Sequence, residues 1–179
     1  MAEAFSNALS RAAGIVTTSS SGSIGITTNK ITGISTVSVT VGDLIDTPNF
    51  IQGSSVASYG TASGEVTIDR DSTNTGATSN QTVAFLGVTT TYTSSAKSIL
   101  IGGTFANNTT SQVNLTVSVY DQSTGTQTAL ASDIPVPTGS SFVIADTGKT
   151  VLEGLDEVRL YTDVDNAIDA NLSILTGVS

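Results

Sequence analysis

The stretch Val113-Asn-Leu-Thr-Val-Ser-Val119 decides the fold class. Its apolar and polar residues alternate with a period of two. In an extended chain that sends Val113, Leu115, Val117 and Val119 to one face and Asn114, Thr116 and Ser118 to the other. The pattern predicts a strand with one buried and one solvated face. On either side, similar short runs recur at 98–105, 127–130, 134–136, 141–144, 150–152, 157–161 and 168–174, separated by turn residues such as Ser123-Thr-Gly125 and Thr138-Gly139. So many short strands predict a two-sheet β-sandwich over residues 97–179, of jelly-roll or immunoglobulin-like type. Pro135 and Pro137 lack the N–H that a central strand donates, which places their strand at an edge or a bulge.

Upstream, the runs 30–34, 37–41, 50–51, 55–59, 65–68 and 82–86 predict a second β domain over residues 28–88, a small barrel or compact sandwich. Gly42 and Gly53 fall where the chain must reverse, and glycine takes positive φ there without steric cost. Residues 89–96 have the polar composition of a linker. Residues 1–27 read as an N-terminal helix and an extended Ser/Thr arm. Within them, Phe5, Ala8, Leu9 and Ala12 share one face at helical spacing and Gly14 supplies a stop. Such a helix is too short to persist alone, so Phe5 and Leu9 are expected to meet a partner surface, either the chain's own β domain or a neighbouring subunit. The whole chain thus reads as all-β apart from this one helix.

Composition narrows the function. Of 179 residues only 12% are charged and 38% are hydrophobic, while 30 are Thr and 25 are Ser. The six basic residues are scattered and form no stripe for neutralising phosphates, so no nucleic-acid partner is expected. No apolar run approaches the roughly 20 residues of a spanning helix, so no membrane partner is expected. Met1-Ala-Glu-Ala-Phe-Ser lacks the basic start and apolar centre of a signal peptide, which predicts synthesis in a cytoplasm. With no Cys and no His, disulfides, thiolate metal sites and His- or Cys-based triads are impossible. A weakly charged β surface exposes edges that recruit other strands, so burial in an assembly, including a homo-oligomer, is expected.

Three groups of residues bear side chains suited to chemistry. Glu153, Asp156, Glu157, Asp163, Asp165 and Asp169 form the one dense acidic group, but Asp163-Val-Asp165-Asn166 is followed by neither the glycine nor the bidentate Glu of a calcium loop. It reads as a solvated turn. Asp69-Arg70-Asp71 reads as a local ion pair rather than a glycosidase carboxylate pair. Tyr59, Tyr92, Tyr120 and Tyr161 could serve a sugar site, though each also suits a sheet rim. No cofactor, metal or catalytic residue is expected, and the chain reads as a non-enzyme.

The stretches Ala4-Phe-Ser-Asn-Ala-Leu-Ser-Arg-Ala-Ala-Gly-Ile-Val-Thr-Thr18, Asn29-Lys-Ile-Thr-Gly-Ile-Ser-Thr-Val-Ser-Val-Thr-Val-Gly-Asp-Leu-Ile45 and Glu65-Val-Thr-Ile-Asp-Arg-Asp-Ser-Thr-Asn-Thr75 resemble structural virion proteins of tailed bacteriophages, especially myophages of marine cyanobacteria. Residues 98–108 and 151–159 resemble β-sandwich modules placed on the heads, necks and tails of such phages. The resemblance implies a virion component that decorates or cements the capsid or forms part of the neck or tail. Its implied partners are other virion proteins. The alternative is a host-surface or glycan-binding adhesin module of a phage appendage.

Overall fold

The computed structural model describes residues 3–144 and 149–178. Two compact units divide the chain, one made of Met1–Gly14 with Thr89–Ser179 and the other of Ile15–Val88. We call them the terminal unit and the inserted unit. The terminal unit opens with β1 (Ala4–Ala13). The inserted unit follows as β2 (Ile15–Ile24), β3 (Lys30–Thr32), β4 (Leu44–Asp46), β5 (Val56–Tyr59), β6 (Val66–Ile68) and β7 (Thr78–Gly87). The chain then returns to the terminal unit as β8 (Thr89–Thr93), β9 (Ser98–Asn107), β10 (Val113–Asp121), β11 (Thr126–Val136), β12 (Ser141–Ile144), β13 (Thr150–Leu152), β14 (Glu157–Thr162) and β15 (Ile168–Thr176). The described residues contain no helix, and the chain is all-β.

In the terminal unit one sheet has the order β11-β10-β14-β8 and the other β1-β15-β9-β12, with β13 also paired to β9; every pairing is antiparallel. Val113, Leu115 and Val117 of β10 are fully buried. They join Val158 and Leu160 from their own sheet and Leu100, Phe105, Leu172 and Ile174 from the other in one apolar core. Burying side chains of this size contributes about 1.5–3 kcal/mol each. Phe105 also stacks on Phe142 of β12, with ring centroids 6.3 Å apart. β11, which carries Pro135, lies at a sheet edge as its missing N–H requires.

The polar face of β10 departs from expectation, for Thr116 and Ser118 are buried as well. In register they sit beside Tyr161 and Arg159, whose larger side chains flank the small hydroxyls. Thr116 Oγ1 accepts the backbone N–H of Asp133 at 3.0 Å, where β11 bulges away from β10 and Asp133 takes φ 52°.

The expected N-terminal helix is corrected: residues 4–13 form strand β1, paired to β15 from Ala4 opposite Thr176 to Ala13 opposite Ile168. A helix of this length is marginal in water, whereas the strand shields one edge of β15 and satisfies its own backbone on that side. The expected arm at 15–27 and linker at 89–96 are also largely strand. β2 pairs with β7, and β8 pairs with β14. In β2 small residues face inward because space is short, and a Cβ at Gly22 would lie 2.8 Å from Val83 Cγ2. In β8 the buried Thr91 satisfies its hydroxyl on the Val158 carbonyl at 2.9 Å.

The inserted unit is a six-stranded sheet ordered β4-β7-β2-β3-β6-β5. Ile45 N–H donates to Ser54 O and Val56 N–H to Asp43 O, both at 2.9 Å, linking the flanks of β4 and β5 at the two ends of that order. Its core holds Ile24, Ile31, Ile45, Phe50, Val56, Val66, Ile68, Val83 and Phe85. The strand expected at 37–41 is a turn, with Ser38 at φ 64° and only Val39 reaching the core. Gly42 and Gly53 do adopt positive φ, at 97° and 80°.

Candidate assembly surface

Phe5 and Leu9, expected on a helical stripe, stand on the outward face of β1 at 79% and 74% exposure. Alternation along the strand explains this. Ala8 and Ser10 turn inward, with Ala8 packed on the core, so the odd-numbered residues turn out. Small side chains inward let β1 lie close over the core. Large apolar ones are left in water.

Residues opposite each other in antiparallel strands share a face. Phe5 lies opposite Leu175, Leu175 opposite Ile99, and Ile99 opposite Val151. The four make an apolar row across β1, β15, β9 and β13. Leu175 and Ile99 are partly buried in its middle, while Val151 is 51% exposed at its far end. A second row runs Leu9, Asn171, Thr104, Val143, with an exposed apolar residue at each end and polar ones between. Contiguous apolar surface of this kind marks an interaction face more often than chance exposure. Phe5 and Leu9 are legible in the sequence, whereas Ile99, Leu175, Val151 and Val143 are not. Their signal was available only once strand pairing was known.

β1 also ends its sheet. One side of its backbone pairs with β15 and no described strand pairs with the other, leaving N–H and C=O groups open along the regular stretch from Ala4 to Ser10.

The acidic group, Asp69 and the tyrosines are engaged within the fold. Asp156 accepts backbone N–H groups from Gln122 at 3.2 Å and Glu153 at 2.9 Å; Asp163 accepts that of Asn114 at 2.8 Å and Asp169 that of Ala12 at 2.8 Å. These carboxylates fasten turns and strand ends, and no group of three or more acids among the described residues could hold a metal ion. Asp69 accepts Ser55 N–H at 2.9 Å and lies 3.6 Å from Arg70 Nε. The tyrosines form no common platform. Tyr161 is buried and donates to Gln127 Oε1 at 2.7 Å, Tyr92 packs on the core, and the Arg159 guanidinium covers the Tyr120 ring at 3.5 Å. Tyr59 is half exposed and donates to Val39 O at 2.6 Å.

No helix among the described residues is long and apolar enough to cross a membrane. No protein-family model, curated protein or solved structure matches the chain.

Proposed function

We propose that this chain is a non-enzymatic structural protein of a tailed-phage virion. It is made in the host cytoplasm and built into the particle as capsid decoration or cement, or as part of the neck or tail. Its partners in this reading are other virion proteins and further copies of itself. The observation that carries the proposal is the free edge of β1 bearing exposed Phe5 and Leu9 beside an apolar row, a surface whose stability in water calls for a protein partner. The resemblance of the opening residues to virion proteins supports the same station for this segment.

We also read the winding of the terminal unit as that of a jelly roll. The pairs β10/β11, β9 with β12 and β13, and β8/β14 are nested, and the chain alternates between sheets from β8 to β10 and again from β11 to β14. The adhesin reading draws less support, since three of the four tyrosines are buried, core-packed or covered.

The test is incorporation. Particles assembled with a Phe5→Asp/Leu9→Asp chain should contain little of it although the isolated variant keeps its β circular-dichroism spectrum. An averaged image of wild-type particles should show the protein at a fixed, symmetric station. A folded double variant taken up at wild-type copy number would count against the proposal.

A further inference from the structure

Glu3, just before β1, and the outward residues Phe5, Asn7, Leu9 and Arg11 of β1 run as a charge, an apolar group, an amide, an apolar group and the opposite charge. We propose that the partner at this edge is a second copy of the chain, its β1 paired antiparallel to the first about a twofold axis at Asn7. This deepens the assembly reading above, from which it takes only β1 as the contact.

Geometry restricts how two copies can meet here. In an antiparallel ladder, backbone groups of alternate residues point to the same side, so those facing away from β15 all belong to residues of one parity. Two identical free edges therefore match only when odd residues oppose odd and even oppose even. The twofold axis must then pass at a residue, not between residues. An axis at Ser6 would set Leu9 against the partner's Glu3, and one at Ala8 would set Phe5 against the partner's Arg11. With the axis at Asn7, Phe5 meets the partner's Leu9, Glu3 meets the partner's Arg11, and Asn7 meets its own copy. Every contact off the axis occurs twice, as an isologous interface requires.

Three further observations fit this register. Glu3 and Arg11 are exposed, are the sole charged residues between positions 3 and 13, and take part in no ion pair among the described residues. The even-numbered face pairs Ala4 with the partner's Ser10 and Ser6 with the partner's Ala8, small against small, so nothing holds the strands apart. Beyond Ser10 the register of β1 against β15 shifts and Ala12 turns to φ 54°, so the ladder between copies runs over Ala4–Ser10 with the Glu3 and Arg11 side chains meeting at its two rims. The partner's Leu9 would then extend the row of Phe5, Leu175, Ile99 and Val151 into a second sheet.

The native chain has no Cys, so Asn7→Cys carries a single thiol. Opposed residues at the axis lie about 4.5–5.5 Å apart between Cα atoms, while Leu9 and its own copy would be offset by four residues, roughly 13 Å. A short bismaleimide should convert Asn7→Cys to covalent dimer and leave Leu9→Cys largely monomeric. Light scattering should show a concentration-dependent dimer of the wild-type chain. Arg11→Glu should weaken it roughly tenfold, because two exposed ion pairs become repulsive contacts, and Glu3→Arg/Arg11→Glu should restore it. A strict monomer at all concentrations overturns the proposal, as does a dimer indifferent to Arg11→Glu or cross-linked equally through positions 7 and 9. A dimer with the expected behaviour that never enters particles supports the proposal and overturns the virion reading. A monomer that does enter particles overturns the dimer alone.

Discussion

Ala8 and Leu9 are neighbours in sequence, and a helix would place both on one apolar stripe, whereas β1 sends them to opposite faces. Replacing each by Asp separates the two arrangements. Ala8 is partly buried, packs on the core and lies opposite the fully buried Leu172. A carboxylate there loses water without gaining a partner, at a cost of about 1–3 kcal/mol. Leu9 keeps 74% of its surface in water. Since full burial of a leucine contributes about 1.5–3 kcal/mol, its replacement should cost the folded monomer under about 1 kcal/mol. For a unit of roughly a hundred residues, Ala8→Asp should melt about 5–15 °C lower and Leu9→Asp within a few degrees of wild type. Thermal denaturation followed by circular dichroism reads both, at several protein concentrations, because loss of a self-contact lowers melting only where the dimer is populated. Equal losses at both positions in dilute protein would refute the strand assignment of residues 4–13.

Other consequences are open to direct measurement. Leu115→Asp should unfold or severely destabilise the terminal unit, and Ser118→Asp should cost about 2 kcal/mol in urea titration, since Ser118 is only 1% exposed; an innocuous Ser118→Asp would mean that face of β10 is open to water. Calcium and chelator alike should leave the melting temperature unchanged, because Asp156, Asp163 and Asp169 already accept backbone N–H groups; a chelation shift of many degrees would reverse that conclusion. In the β10–β11 turn, hydrogen bonds from the Ser123 hydroxyl foremost, then Thr124, hold the Asp121 carboxyl below its ordinary value. A carboxyl lowered on folding stabilises the native state above its unfolded value and loses that contribution as pH falls through the lowered one. Acid titration by NMR should therefore find Asp121 protonating below the usual aspartate range, and Ser123→Ala should move it back up.

What sequence alone could and could not reveal has physical causes in particular residues. Val113, Leu115 and Val117 were legible because alternation with large aliphatic side chains has no helical counterpart. Phe5 and Leu9 were ambiguous because a spacing of four residues returns to the same face in a helix and in a strand alike. The finer signal lay in the small residues Ala4, Ser6, Ala8 and Ser10 between them, which alternate as a strand does. β2 and β8 were obscured for a related reason. Their inward positions hold Ser19, Gly22 and Thr91, chosen for close approach and hydrogen bonding, and these carry no hydropathy signal. Ser19 Oγ accepts the Ser35 N–H at 3.1 Å, a contact between distant segments that composition cannot foretell. The apolar row was hidden because it joins residues from four separate strands.

The pairing of β1 with β15 also bears on how the chain is born. Thr176 Oγ1 donates to the Ala4 carbonyl across 172 residues of sequence, so β1 finds its neighbour only after β15 has been synthesised. In the meantime the inserted unit, whose strands pair among themselves within 15–88, can close and bring Ile15 opposite Gly87. This shortens the remaining closure, though the entropy saved is under about 1 kcal/mol. The larger effect is on timing. Until β15 has emerged, β1 has two open edges instead of one, with Phe5 and Leu9 beside them, and nascent chains on one messenger are close enough to meet through them. Emergence of β15 is thus the step that decides between a capped edge and a tangled one, and slow synthesis of residues 168–176 would favour the latter.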